Sequence, residues 1–302
     1  MPARTTKPYR ELVTIEDRDR WLGERRRGIG ASEVAAILGE SPWSSPMAVY
    51  AAKVHGVEQD LGIDTEVRLL MEPVILELYR RRTGREARPG GVLLQSTEHA
   101  WALCTLDADH EAEELGPLEL KAESIYGADR WADGPPRQYW WQVHAQMLVT
   151  GAPKGSIAAL IGHQFVWCDV ERNEAAIAHM VQVCADFWLR VERREPPSPD
   201  DHRATRAALE AIYSSETKGK VVALGHDLID VADELTSLKA QRAEIKRQVE
   251  RLELDVKAQL QDAEAGVLPD GSTFTWRSQT RRAHHVAEST FRVLRFSAAK
   301  ER

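Results

Sequence analysis

The chain has 302 residues, 43% of them hydrophobic and 29% charged, with 9 Trp. That is enough for one catalytic core plus an appended element, and it excludes a disordered or fibrous chain. A net charge of −7 argues against coating nucleic acid by bulk charge, and no apolar run can span a bilayer or act as a signal core, so a cytoplasmic protein is expected.

The first helix is predicted from Thr14 to Arg26, with Thr14 as a candidate cap, and it ends in the basic cluster Arg25-Arg26-Arg27. After Gly28-Ile29-Gly30, Ser32 can cap a short helix reaching Leu38, closed by Gly39. Ser45-Pro46 then starts a helix that runs to Val54 and stops at Gly56, because Pro suits the first helical position and Gly the exit. From Asp64 to Thr83 apolar residues recur at three and four (Val67, Leu70, Met71, Val74, Ile75, Leu78, Tyr79), which predicts an amphipathic helix with Glu72 and Pro73 in its middle.

The period then shortens to that of strands at Val92–Gln95, Trp101–Asp107 and Leu118–Glu123. A helix over Arg137–Thr150, strands over Ser156–Ile161 and Phe165–Val170, and a helix over Asn173–Arg193 follow. Pro196, Pro197 and Pro199 mark a boundary, dividing a core at 1–199 from an extension at 200–302. The extension carries a long helix with a coiled-coil-like seam over 228–262, broken only by Arg242, and a hairpin turn at Pro269-Asp270-Gly271-Ser272. It could pack on the core, self-associate or bind a partner.

The chemistry-bearing pattern is Asp107 at the end of one strand and Glu119-Leu120-Lys121 on the next. Alternation puts Glu119 and Lys121 on one face and Leu120 in the core, and a hairpin would set Asp107 beside Glu119. Carboxylates and a carbonyl are the hard oxygen ligands of Mg²⁺, and a nearby Lys can orient or deprotonate a water for attack on a phosphodiester. The plainer reading of Glu119 and Lys121 is a cross-strand ion pair. Asp109, two residues on, competes with Asp107, as Arg26 and Arg27 compete with Arg25. The scattered His110, His144 and His163 lack ligand spacing and read as surface or core residues. Trp140 and Trp141 read as helix packing, Arg80-Arg81-Arg82 as a solvated helix end, and Cys104, Cys168 and Cys184 as reduced packing residues.

Six segments in order, RRRGIGASEVAAILG at 25–39, SPWSSP at 41–46, MEPVILELYRRRTG at 71–84, TLDA at 105–108, LELK at 118–121 and YWWQVHAQMLVTG at 139–151, resemble the YqaJ-type viral recombinases. That family is similar to phage lambda exonuclease and lies within the PD-(D/E)XK nuclease superfamily. The resemblance implies an α/β fold, a restriction-endonuclease-like core with a mixed central sheet flanked by helices. It implies that Asp107, Glu119 and the Leu120 carbonyl bind Mg²⁺ (or Mn²⁺), that Lys121 assists the water, and that Glu72 and Gln142 line the site. Arg25 and Ser32 would hold a 5′-terminal phosphate. Ala108 and Ala122 depart from the Gly and Thr common in the family. The implied activity is 5′-to-3′ exonuclease digestion of linear double-stranded DNA by a trimeric ring, working with a single-strand annealing protein. The alternatives are a related endonuclease and a non-catalytic DNA-binding or assembly subunit.

Overall fold

The computed structural model describes residues 7–57, 62–112, 114–281, 288, 292–294 and 296, so the N-terminal stretch around Arg4 lies outside the described residues. Two compact units are present, Met1–Ser214 and Ser215–Arg302. In chain order the first contains β1 (Tyr9–Thr14), α1 (Arg18–Arg25), β2 (Ile29–Gly30), a 3-10 turn at Ala31–Glu33 leading into α2 (Val34–Ile37), α3 (Pro46–His55) and α4 (Gly62–Thr83). Then come β3 (Ala87–Pro89), β4 (Val92–Ser96), β5 (Ala102–Thr105), β6 (Ala108–His110), β7 (Pro117–Glu123), a 3-10 segment at Ile125–Trp131, α5 (Arg137–Thr150), β8 (Lys154–Ile161), β9 (Gln164–Glu171), α6 (Glu174–Arg193) and α7 (Arg203–Ile212).

Local chemistry sets most of these ends. Ser45 caps α3 by accepting from the Ala48 amide at 3.2 Å, and Gly56 closes it at φ +66. Asn173 caps α6, and Gly151, at φ +74, ends α5. The expected start of the first helix at Thr14 is wrong. Residues 9–14 pair as a strand with β4, burying Val13, and Asp17 caps α1 instead.

The expected single central sheet is two sheets. One has the order β1-β4-β5-β2 and the other β3-β6-β7-β8-β9. Both are mixed, because β2 runs parallel to β5, and β7 parallel to β8. The expected strand at Trp101–Asp107 also divides. Residues 87–96 and 102–110 form one long antiparallel ribbon that bends in the middle: β4 pairs β5 in the first sheet, while β3 pairs β6 in the second. At the bend the Gly90 and Gly91 amides donate to the Asp107 and Leu106 carbonyls at 2.9 and 3.0 Å. A Cβ on Gly90 would lie 2.0 Å from the Leu106 carbonyl oxygen, so only glycine lets the ribbon cross there. Asp107 therefore stands between the sheets.

Sheet alternation sorts the core. Leu93 and Leu103 face Trp21 of α1, whereas Leu94, Cys104 and Leu106 face α2, α3, α5 and α6. In the second sheet, Leu118, Leu120 and Ala158 pack on Ile75, Leu76 and Tyr79 of α4, and Ile157 packs on Val143 and Met147 of α5. The helix α4 runs unbroken through Pro73, and it buries only the C-terminal part of its predicted stripe; Val67, Leu70 and Val74 are exposed. The first unit continues past the proline cluster. Ala208 of α7 is buried in the core, and Thr205 donates its hydroxyl to Ser45 at 2.7 Å.

The second unit contains α8 (Asp227–Leu260) and an antiparallel hairpin of β10 (Ala265–Val267) and β11 (Thr273–Thr275). Among the described residues, no helix is long and apolar enough to cross a membrane.

Candidate active site

The register β6 with β7, Ala108 opposite Leu118 and Asp109 opposite Pro117, carries the chain so that Asp107 meets the middle of β7. Its Oδ2 accepts the Leu120 backbone amide at 2.9 Å. Asp109 instead pairs with Arg88 at 3.7 Å. Leu120 is buried against α4, so Glu119 and Lys121 project from the opposite face toward α5, as alternation requires.

Glu119 is 0% exposed. Its Oε1 accepts from the Lys121 ammonium and from Gln142 Nε2 at 2.6 Å, and its Oε2 accepts from Gln146 Nε2 at 2.5 Å. Gln142 and Gln146 sit one turn apart on α5, so one helical face supplies both amides. The Gln146 Oε1 atom is buried and has no hydrogen-bond partner. Lys121 also lies 5.0 Å from the centre of the Tyr139 ring, whose hydroxyl donates to Glu123.

Burial and mutual charge set the protonation of this cluster. Burial pushes the Asp107 carboxyl well above the usual carboxylate range, and the Glu119 charge adds to that. Burial likewise lifts the Glu72 carboxyl to about 7, opposed by Lys121 and reinforced by Glu119. Burial disfavours the Lys121 ammonium, but Glu119 and Asp107 outweigh it and hold its pKa above the ordinary lysine value. Three carboxyl groups thus share one ammonium. The hard oxygens that could hold a divalent cation are those of Asp107, Glu119 and Glu72, and their surplus negative charge fits one. Among the described residues, no group of three or more His, Cys, Asp and Glu side chains forms a ready metal cage.

A second cluster gathers around β2, where the chain passes into the 3-10 turn before α2. Arg25 donates to Ser32 Oγ at 2.7 Å and lies 3.9 Å from the Glu33 carboxylate. Lys53 bonds Glu33 at 2.8 Å and the Arg25 carbonyl at 2.9 Å, and the Gly30 amide donates to Glu33 at 2.7 Å. Gly30 leaves room for the guanidinium, since a Cβ there would stand 3.3 Å from it. Arg27 pairs with Glu24 outside this cluster.

Against known proteins, residues 20–153 match the model of the YqaJ-like viral recombinase domain. Over this segment, under half of its length, the chain is similar to that family. The chain is 28% identical over 258 residues to the uncharacterized protein YqaJ of Bacillus subtilis (strain 168), covering 83% of this chain and 81% of that one. Two crystal structures of LHK-Exo, an alkaline exonuclease from Laribacter hongkongensis, share the fold. One, in complex with dAMP, gives a TM-score of 0.52 at 18% identity, and the other 0.51 at 19%; each covers 59% of this chain and 94% of that one.

Both clusters fall inside the YqaJ-like domain. The structure brings Asp107, Glu119, Lys121 and Gln142 together and sets Glu72 within electrostatic reach of them, and it brings Arg25 to Ser32. Sequence reasoning missed Gln146, Glu33 and Lys53. Gln146 was signalled by its four-residue spacing from Gln142. Glu33 and Lys53 were not, because their pairing spans two elements. Among the remaining sites of the YqaJ-like domain, His110 bonds the Tyr79 hydroxyl and the Gly116 carbonyl, and His144 the Trp140 carbonyl, so both are core residues. Trp141 is buried as expected, and Arg80 and Arg81 pair with Glu77.

Proposed function

We propose that the chain is a Mg²⁺-dependent deoxyribonuclease, an exonuclease that digests linear double-stranded DNA from its 5′ ends. The observation that carries this is Asp107 set against the Glu119-Leu120-Lys121 strand, with more carboxylate than the one half-buried lysine can balance. Asp107, Glu119 and the Leu120 carbonyl would hold the metal, with Glu72 nearby. Bound there, Mg²⁺ supplies a lowered pKa for a water ligand and neutralises charge on the phosphate.

The protein's own groups do the rest. Glu119 and Asp107 favour the charged form of Lys121, so its ammonium orients the attacking water and stabilises the phosphorane oxygens rather than accepting a proton. Gln142 and Gln146 fix the Glu119 rotamer, and Gln142, nearer the α5 N-terminus, faces the scissile phosphate. Water adds to phosphorus as the bond to the leaving sugar oxygen breaks; the proton that the water gives up passes to solvent, and the departing oxygen takes one up from solvent. Arg25 and Ser32 would take the terminal 5′-phosphate, with Lys53 and Glu33 holding Arg25 in place; burial raises the Glu33 carboxyl, yet Lys53 and Arg25 lower it further, so it stays ionised. Association into a ring of three copies and work alongside a single-strand annealing protein complete the proposal.

The test is digestion of linear duplex DNA with 5′-phosphate or 5′-hydroxyl ends, beside a closed circle, in Mg²⁺ and in EDTA. Metal-dependent loss of the 5′-phosphorylated linear DNA is expected. Lys121→Ala should slow it about 10²–10³-fold, and Arg25→Ala should remove the preference for phosphorylated ends. Cutting of the circle would make the enzyme an endonuclease, and no digestion at all would make it a DNA-binding or assembly subunit.

A further inference from the structure

The long helix of the second unit poses a physical question that the nuclease reading does not answer. Among the described residues of α8, Leu260 alone is buried. A helix of 34 residues draws most of its stability in a protein from packing one apolar face, yet here that face is bare. From Leu228 to Val256 every a and d position of a strict heptad is apolar except Arg242. Leu238, Ile245 and Leu252 along it are 52%, 60% and 65% exposed. The seam ends at a groove of about 480 Å³ where Phe274 and Trp276 of the hairpin stand over Val256 and Leu260.

We infer that α8 is a self-association surface, and that its occupant is α8 of a second copy of this chain, in a parallel, in-register, two-stranded coiled coil. The charges beside the seam choose the direction. In parallel alignment the g position Glu234 meets the e position Lys239 of the second copy, and no g–e pair sets like charges together. The fully overlapped antiparallel alignment, with Leu238 opposite Val249 of the second copy, sets Lys239 against Lys246 and Glu234 against Asp255. The number of strands follows from the seam residues themselves. Val249 and Val256 at a with Leu252 at d favour two strands, Leu235 at a and Ile245 at d lean toward larger bundles, and Arg242 decides between them. Arg242 at a can lead its guanidinium out to water from a two-stranded seam, where a larger bundle would bury it. This inference is independent of the nuclease chemistry, and a ring of three copies joined through α8 to a second ring would hold six chains.

The test is the mass of the full chain by light scattering on a sizing column. An even number of chains is expected for the natural protein, falling to half in the double variant Leu238→Lys, Ile245→Glu. Because that variant could disturb folding, Leu238→Cys provides a second measurement: mild oxidation should join it to itself in a covalent dimer above the wild-type background. A monomer or trimer for the natural chain, a mass untouched by the double variant, or a cross-link that forms only when Leu238→Cys is combined with Val249→Cys would each overturn the proposal. The first of these would assign the seam to the protein's own core or to a different partner.

Discussion

The carboxylate of Glu119 accepts three hydrogen bonds before any substrate arrives. Two come from α5, so the rotamer of a strand residue is set by a helix that joins the chain later. Groups that orient a metal's ligands typically change metal affinity or activity by about 10–100-fold when removed. Gln146→Leu is therefore expected to weaken Mg²⁺ binding by that factor, read by titration calorimetry on the folded chain, and to slow digestion alongside it. Equal affinity in variant and wild type would show that Gln142 alone suffices. The residues of this centre were legible because strand alternation is simple: Glu119 and Lys121 had to share a face, and Leu120 had to leave it. Gln146 had the spacing from Gln142 as its signal, but an amide on a helix reads as solvated until the partner carboxylate is found behind it.

At the scale of elements, the ribbon bend explains how Asp107 reaches β7. Gly90 lies against it with no room for a methyl group, and the atom in the way is backbone. Gly90→Ala is expected to cost about 1–3 kcal/mol in chemical denaturation, as overpacking does, and to lower activity by more than the lost stability explains, because Asp107 must move with the bend. Full activity in a stable Gly90→Ala protein would separate the bend from the site. Helix limits such as Ser45-Pro46 to Gly56 could be read directly, since caps and left-handed exits are encoded by single residues. The division of residues 101–107 could not. The apolar run Trp101-Ala102-Leu103-Cys104 continues through Leu106, and only pairing with Gly90 and Gly91, distant in sequence, shows where one sheet ends. The start of α1 failed for a related reason: Thr14 has cap chemistry, but pairing with β4 claims its backbone.

For the whole molecule, the proposed metal site would make the folded state a better cation ligand than the unfolded chain. A ligand at about 100 times its Kd stabilises the native state by about 2.7 kcal/mol. Saturating Mg²⁺ should therefore raise the melting temperature of the natural protein, and Glu119→Gln should abolish most of that rise; an equal rise in both would place the cation elsewhere. The limit of the first unit, Ser214, was not legible in the sequence. Prolines at 196–199 suggested an end, whereas α7 returns to the core through Thr205 and Ala208. The bent ribbon has a last consequence. Asp107 belongs to the crossing between two sheets and Glu119 to the middle of one, so a cation shared by both would act as a rivet through a joint. Its removal would free the sheets to pivot, and deuterium uptake at β4 and β7 should then rise together, far apart in sequence yet loosened by a single atom.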